Sequence, residues 1–453
     1  MPFNSEQENH LANEVDRRQF LVRTGLLLGG SALANSVSRA GTKPETALPD
    51  KLDTWEAVRA QFDLNPKLIH LAGFYLASHP KPVREAIATY RRALDENPFG
   101  YLSQNSIRLN DAVLQAAANY LGVRPLDIAL TDSTTMGLGL LYGGLKLREG
   151  QEVLTTTHDH SSTFTSLRLR AERTGATIRS IPLYESLESV SEAEIVERLV
   201  KAFRPQTRIV AVTWVHSGTG LKLPIRQMAD AIATVNKQRA DADKAIFCVD
   251  GVHGIGAEDI TLPELGCDFF IAGCHKWLCG PRGTGFVWGK ANAWPLASAI
   301  IPSFNRKANL AYRKEITVEE FPYGDWMTPG GFHSYEHRWA LDQAFLFLQS
   351  IGKTRITQQI HTLNRQFKEG VKKMPHVKLH TPMAENLSAG IVCFDVQGMT
   401  PEEVQTKLGE RGIITTVTPA FYPGHYARVG TSLMTLSGDI ETTLREIYNL
   451  GKK

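Results

Sequence analysis

The sequence predicts an α/β protein with a large domain on a mostly parallel sheet and a smaller C-terminal α+β domain. Its 453 residues exceed what one small core needs, so more than one compact part is expected. Hydrophobic residues make up 42% and charged residues 21% of the chain, which is typical of a globular protein. From about residue 108, short apolar runs alternate with segments of helical periodicity. Such repeating strand and helix units favour a parallel sheet covered on both faces.

The first 40 residues have the pattern of an export signal. Arg17 and Arg18 stand shortly before the weakly apolar run over residues 24–34, and small residues follow up to Ala40. This pattern predicts a twin-arginine signal peptide over residues 1–40, with the twin-arginine export machinery as a partner and the periplasm as the destination. The apolar run is shorter than the roughly 20 residues of a membrane span, so no stable membrane insertion is expected. The alternative is an amphipathic N-terminal helix.

The remaining chain is predicted to form an N-terminal segment over residues 41–107, a large domain over 108–330 and a small C-terminal domain over 331–453. In the large domain the periodicity predicts helices at 109–121, 163–173, 192–203 and 223–236, and strands at 152–156, 178–181, 208–213, 245–249, 269–272 and 285–288. Thr328, Pro329 and two glycines mark the domain boundary, and a long helix over Tyr335–Ser350 is expected to open the small domain.

Charge and cysteine usage exclude several functions. The net charge is +3 without any block of like charges, so neither a nucleic-acid partner nor a polybasic membrane patch is expected. The five cysteines form no CxxC pair and show no spacing with histidine that would suit zinc. Free thiols and no metal site are therefore expected.

Lys276 is the first candidate for chemistry. The apolar strand over residues 269–272 runs into Cys274-His275-Lys276-Trp277, and a glycine-rich turn follows at 280–285. A lysine amine becomes a nucleophile toward an aldehyde when desolvation or neighbouring cations lower its pKa, and His275 and Arg282 are close in sequence. Taken alone, a lysine after a strand is usually a surface residue.

Three further motifs strengthen the case for Lys276. Asp250 ends an apolar strand, and parallel sheets bind ligands at the carboxyl ends of their strands, so it is expected in the same crevice as Lys276. Ser133 and Thr134 stand at the start of a helical segment, where hydroxyls and free amides favour phosphate. His160 follows the next strand. Helix capping is the alternative interpretation for Asp250 and for the Ser133-Thr134 pair, and a solvated loop is the alternative for His160.

In this order, the motifs resemble those of class V pyridoxal 5'-phosphate (PLP) enzymes of fold type I, in particular the isopenicillin N epimerase-like branch. The similarity runs from about residue 70 to the C-terminus. It implies that Lys276 carries PLP as an imine, that Asp250 binds the pyridine nitrogen, that His253 lies near the ring hydroxyl and His160 on the ring face, and that Ser133, Thr134 and His275 hold the phosphate. It also implies a homodimer in which Thr328 of a neighbouring subunit completes the phosphate site.

The sequence departs from this family pattern in two places. Cysteine desulfurases of the fold carry a nucleophilic cysteine in a loop before the last strand, but no cysteine occurs between Val396 and Lys453. Many members also bind the substrate carboxylate with an arginine at the position that is Gly430 here. Arg428, two residues earlier on the same strand face, is the candidate substrate-binding residue, and a surface cation is its alternative.

The predicted activity is that of a PLP-dependent aminotransferase acting on a small amino-acid or peptide-like substrate. Lys276 would act as general base at Cα. Epimerisation needs a second acid, and because the sequence does not identify one, transamination is favoured. The alternatives are an epimerase, a C–S lyase or a non-catalytic PLP-fold binding protein. The signal and the motifs around His160 and Lys276 also resemble periplasmic PLP enzymes that modify the glutamyl side chain of pyoverdine siderophores.

Overall fold

The computed structural model describes residues 52–315, 322–420 and 422–451, so the predicted signal peptide lies outside the described chain. In the described residues the strands are β1 Ile69–His70, β2 Ile128–Thr131, β3 Glu152–Thr156, β4 Thr177–Ile181, β5 Thr207–Thr213, β6 Ile246–Asp250, β7 Phe269–Gly273, β8 Gly285–Gly289, β9 Val377–Leu379, β10 Ile391–Val396, β11 Ile413–Ile414, β12 Thr416–Val417 and β13 Ala427–Gly430.

The helices alternate with these strands in the first part of the chain and cluster around the small sheet in the last. In the described residues they are Trp55–Arg59, Lys81–Glu96, Pro98–Leu121, Thr134–Gly144, Ser161–Thr174, Glu192–Lys201, Ile225–Asn236, Leu262–Leu265, Arg306–Tyr312, Tyr323–Met327, Tyr335–Trp339, Leu341–Ile351, Lys353–Lys372, Pro401–Gly409 and Ser437–Leu450.

The large sheet has seven strands in the order β2-β8-β7-β6-β5-β3-β4. The neighbours from β7 through β6, β5 and β3 to β4 pair in parallel, while β8 runs antiparallel to both β7 and β2. The predicted mostly parallel sheet is thus confirmed. The antiparallel strand arises because only the short segment from Cys274 to Thr284 joins β7 to β8, too short for a crossover helix.

Burial explains why the central strands were readable from sequence. Every residue of β5, β6 and β7 is buried, so both faces are covered and the strands read as apolar runs. The smaller sheet, β12-β13-β10-β9, is entirely antiparallel. β1, from the N-terminal segment, pairs in parallel with β11 and so joins this C-terminal region.

Two helix predictions need correction. The helix predicted to begin at residue 109 begins at Pro98, because the Asn97 side chain accepts a hydrogen bond from the Gly100 amide and proline is favourable in the first turn. The long helix predicted over Tyr335–Ser350 is two helices that meet at Ala340. In the described part of the chain, no helix is long and apolar enough to cross a membrane.

Candidate active site

Five strand ends converge on one pocket. β2, β3, β5, β6 and β7 run in the same direction, so their carboxyl ends lie at one edge of the large sheet. The residues that line the pocket there are Ser133, Thr134, Thr135, Leu138, His160, Ser162, Thr213, Ser217, Asp250, Val252, His253, His275, Lys276 and Tyr422. Seven of the nine residues predicted to form the site are therefore brought together, while Thr328 and Arg428 are not among the lining residues.

Lys276 follows the carboxyl end of β7, and its amine lies next to a histidine ring. Its Nζ is 3.3 Å from Nε2 of His253, whose Nδ1 accepts a hydrogen bond from the Trp277 indole at 3.2 Å. An acceptor at Nδ1 places the proton of the neutral ring on Nε2, facing Lys276. Desolvation lowers the pKa of Lys276 to about 8, and Asp250 partly opposes this shift. An amine with this pKa is neutral, and therefore nucleophilic, far more often near neutral pH than an ordinary lysine, although most of it is still protonated.

Asp250 ends β6 in an almost water-free environment. Its side chain is 2% exposed, and Oδ1 accepts a hydrogen bond from the Val252 amide at 3.2 Å. Burial raises the pKa of Asp250 to about 6, while the Val252 amide and the Lys276 cation lower it. The carboxylate form is thus available at neutral pH to pair with a cation in the pocket.

A second buried carboxylate, Asp159, was not singled out from the sequence. It accepts hydrogen bonds from the Thr155 hydroxyl at 2.7 Å, the Thr156 amide at 2.8 Å and the Thr213 amide at 2.6 Å. These bonds tie the loop after β3 to the end of β5. Burial raises the pKa of Asp159, and its charge also raises the pKa of Asp250. Asp159 therefore fixes the backbone that presents His160.

The start of helix Thr134–Gly144 forms a small polar cradle. Ser133 caps the helix by accepting a hydrogen bond from the Met136 amide at 3.1 Å. The Thr134 hydroxyl is buried without a hydrogen-bond partner in the described structure. A Cβ added at Gly273 would lie 2.9 Å from that hydroxyl and 3.0 Å from Cε1 of His275, so glycine keeps this space open. An unsatisfied hydroxyl beside free helix amides suits an anion.

His160 lies in the pocket, as predicted from the sequence, and it also caps a helix. Its Nδ1 accepts a hydrogen bond from the Ser162 amide at 3.1 Å and so caps helix Ser161–Thr174, yet its ring also lines the pocket. Burial, with a smaller effect of Lys276, lowers the pKa of His160 to about 4, so the ring is neutral. A neutral ring can lie against an aromatic ligand without a charge penalty.

Arg428 is buried on β13, and its partners are neutral. Its guanidinium donates to the carbonyl and hydroxyl oxygens of Ser217 at 2.8 and 2.9 Å and to the carbonyl of Val417 at 2.8 Å, while its Nε is buried without a partner in the described structure. The guanidinium also lies 5.2 Å from the centre of the Phe74 ring. A Cβ added at Gly430 would collide with that ring, so Phe74 excludes an arginine from position 430.

Thr328 lies away from the pocket of its own chain. Its hydroxyl accepts a hydrogen bond from the Leu130 amide at 3.0 Å and donates to the Gly324 carbonyl at 2.8 Å. Its predicted contribution to the pocket of a second subunit stays a prediction, as do the chemical roles of the other site residues.

The pocket also contains groups that the sequence did not reveal. Tyr422, on the segment between β12 and β13, is 8% exposed and lines the pocket next to Ser217. All five cysteines are buried, and none lines the pocket. Burial raises the pKa of each thiol, to about 12 for Cys393. The site therefore offers no reactive thiolate.

Several known proteins are similar to this chain in sequence or in structure. A family model described as "Aminotransferase class-V" matches residues 77–434. Isopenicillin N epimerase of Streptomyces clavuligerus is 25% identical over 404 residues, covering 85% of this chain and 96% of that protein. A probable cysteine desulfurase of Halalkalibacterium halodurans is 28% identical over 290 residues, 63% of this chain and 66%, just under two thirds, of that protein.

A solved structure of a C-DES mutant with glycine covalently linked to the PLP cofactor has a TM-score of 0.75 and 23% identity, covering 86% of this chain and 99% of that one. The pocket described above fits PLP on its own chemistry. A buried amine suits the aldehyde, a buried carboxylate suits the ring nitrogen, and the open cradle at Thr134 suits the phosphate.

Proposed function

Since the chain belongs to the class V aminotransferase family and is a PLP-dependent enzyme, we propose that it inverts the configuration at Cα of an amino-acid-type substrate. The observation that carries the proton chemistry at Cα, on which this proposal is built, is the amine of Lys276, whose pKa burial lowers to about 8. It lies 3.3 Å from Nε2 of His253 in a pocket that Asp250 also lines.

The residues that would hold PLP are those with the matching chemistry. Lys276 would bind its aldehyde carbon, Asp250 its ring nitrogen and His160 its ring face. Ser133, Thr134 and His275 surround the cradle that would take the phosphate. When bound, PLP withdraws electrons from an attached amino acid and weakens its Cα–H bond.

The protein's own residues supply the rest of the chemistry. Asp250, ionised above a pKa of about 6, would keep a proton on the pyridine nitrogen of PLP. Once substrate has replaced it on the cofactor, the amine of Lys276 accepts the Cα proton at Nζ. The Nε2 proton of His253 orients that amine. These steps are common to epimerisation, transamination and elimination.

Three observations favour epimerisation among these outcomes. The isopenicillin N epimerase of S. clavuligerus aligns along 96% of its length. No thiol reaches the pocket, which argues against desulfuration by a cysteine nucleophile. The sequence favoured transamination only because it identified no second acid, and the pocket contains a tyrosine, Tyr422, that could serve as one. Elimination, as in a C–S lyase, needs no thiol nucleophile and is the second candidate.

The test is to incubate the PLP-loaded protein in D2O with a panel of L-amino acids and short peptides with free amino groups. We expect deuterium at Cα by NMR and the D-enantiomer by chiral chromatography. Lys276→Ala should lose both, while Lys290→Ala, which removes a lysine that bonds the Gly266 carbonyl, should keep both. Formation of a keto acid by amino transfer, or release of a thiol, would replace this proposal by transamination or elimination. Absence of Cα exchange with every substrate would end it.

We also propose that the protein is exported to the periplasm by the twin-arginine route and acts there, with siderophore peptides among its candidate substrates. Support comes from the arginine pair Arg17-Arg18 before a weakly apolar run. Fractionation of cells expressing the full chain should place the activity in the periplasm. Replacing both arginines by lysine should retain it in the cytoplasm, and an unchanged distribution would contradict the export proposal.

Self-association is proposed on the basis of an apolar groove beside the pocket. The groove shares Ser133 and Thr135 with the pocket and is also lined by Met136, Leu169, Ile300 and Ile301, all of them exposed large hydrophobics. A second copy of the chain covering this groove would remove apolar surface from water. Light scattering of wild type against Ile300→Glu tests this, and identical masses would contradict it.

A further inference from the structure

Tyr422 is held firmly in the pocket although it lies on an irregular segment. Its ring packs on Gly218, where an added Cβ would lie 2.9 Å from the Tyr422 Cγ. Its side chain is hydrogen-bonded to Ser217, and its amide donates to the Pro419 carbonyl at 3.1 Å. The side chain is only 8% exposed. The phenol is therefore positioned by contacts on two sides and does not project into solvent.

Tyr422 and Lys276 enter the pocket from different walls. Lys276 follows β7, whereas Tyr422 packs on Gly218, after β5, and lies edge-on to His160, after β3, with ring centres 6.0 Å apart at 68°. In the sheet, β6 lies between β7 and β5. Asp250 ends β6, and its charge acts on both the amine and the phenol.

The surroundings of Tyr422 favour the protonated phenol and would also stabilise its phenolate for the short time after it donates a proton. Burial and the Asp250 charge raise the pKa of its phenol, so the hydroxyl stays protonated at neutral pH. Ser217, its hydrogen-bond partner, accepts from the Arg428 guanidinium at 2.9 Å. Arg428 lowers the pKa of Tyr422, so the same cation would stabilise a transient phenolate.

We propose that Tyr422 delivers a proton to Cα on the side opposite to Lys276, and so completes the inversion. This inference rests on the proposed epimerase function. In the L-to-D direction the Cα–H bond breaks, its proton passes to Nζ of Lys276 and its electron pair remains with the substrate. The O–H bond of Tyr422 then breaks as a new C–H bond forms on the other side. Proton exchange with solvent restores both groups, so the net reaction consumes nothing.

The experiment compares wild type, Tyr422→Phe and Tyr426→Phe as PLP-loaded proteins in D2O, starting from each enantiomer of a substrate that the wild type converts. Tyr426 is the matched control, since it lies on the same segment but stacks on His380 with ring centres 3.9 Å apart. For Tyr422→Phe we expect conversion to fall about 10²-fold or more. Exchange of the L-enantiomer's Cα proton should persist through Lys276, while exchange of the D-enantiomer's proton should be lost.

The difference between the two enantiomers in Cα-proton exchange distinguishes a catalytic role of Tyr422 from a purely structural one. A Tyr422→Phe variant that was merely misshapen would lose exchange of both enantiomers and the visible absorbance of the lysine-bound cofactor, and that result would overturn the inference. Conversion at the wild-type rate would overturn it as well. If the wild type exchanges Cα protons but forms no D-enantiomer, the proposed function itself fails, which is a different outcome from failure of the Tyr422 assignment alone.

Discussion

The two walls of the pocket are built in different ways. The cofactor wall, defined as Asp250, His253 and Lys276, comes from the ends of two adjacent parallel strands, β6 and β7. The substrate wall, defined as Ser217 and Tyr422 with Arg428 behind them, joins the loop after β5 to the small sheet. Arg428 does not line the pocket itself but bonds Ser217 across 211 residues of sequence. The cofactor wall sits on a rigid core, while the substrate wall depends on how two layers pack. Chemistry common to a family can be kept on the first while specificity changes on the second.

The largest effect should follow from removing the amine of the cofactor wall. Lys276→Ala deletes the amine that we propose as both the cofactor-binding group and the base at Cα, so turnover should fall at least about 10³-fold. The visible absorbance of the cofactor-loaded protein should disappear with it. Turnover within tenfold of wild type would show that catalysis does not depend on Lys276. The assignment of one wall to the cofactor and the other to the substrate would then fail.

A smaller loss is expected for Asp250→Asn. The amide keeps a carbonyl oxygen for the Val252 amide but cannot balance a protonated ring nitrogen, so kcat should fall about 10²-fold with KM little changed. Steady-state kinetics with saturating PLP measures this. Asp268→Asn, at the opposite end of β7, is the control, because its carboxylate pairs with Lys290 away from the pocket. Equal losses in both variants would mean that Asp250 acts only through folding.

On the substrate wall, Arg428→Met should act mainly on binding. Its guanidinium is a buried cation with neutral partners that lies behind Ser217, where its charge attracts a substrate carboxylate in the pocket, so its loss should raise KM about tenfold or more while the cofactor absorbance is unchanged. Substrates without a carboxylate should be affected less. If the variant lost cofactor absorbance in parallel with activity, the two walls would not act independently on cofactor and substrate.

The smallest effect concerns stability of the cofactor-free protein. Because burial lowers the pKa of Lys276 from 10.5 to about 8, holding it charged costs folding energy below pH 8, and this cost vanishes as pH rises to 10.5. Lys276→Met should therefore melt higher than wild type at pH 7, by roughly 2–4 °C, with the difference shrinking toward pH 10.5. Scanning calorimetry across this pH range is the measurement, and a difference that grows with pH would refute the assignment.

The helices show how far local patterns reach. The amphipathic helix over residues 192–203 was predicted within two residues of its observed end, because its apolar positions recur at helical spacing. The predicted helix over Tyr335–Ser350 is wrong at Ala340, since most apolar side chains of both observed helices are buried and the periodicity continues across the break. Hydrophobic periodicity indicates which residues face the core, but it does not indicate where the helix axis changes direction.

By itself, the sequence determined the parallel core strands and the residues of the cofactor wall. Lys276 and Asp250 of the cofactor wall, like His160 beside them, stand where apolar strands end, and the physical chemistry of parallel sheets brings such ends to one edge. Only the tertiary structure decided the pairing of β8 with β2, the Phe74 ring that fills the space above Gly430, and the approach of Tyr422 to Ser217. Those contacts join segments up to several hundred residues apart, and side-chain packing between layers, which leaves no periodic trace in the sequence, determines them.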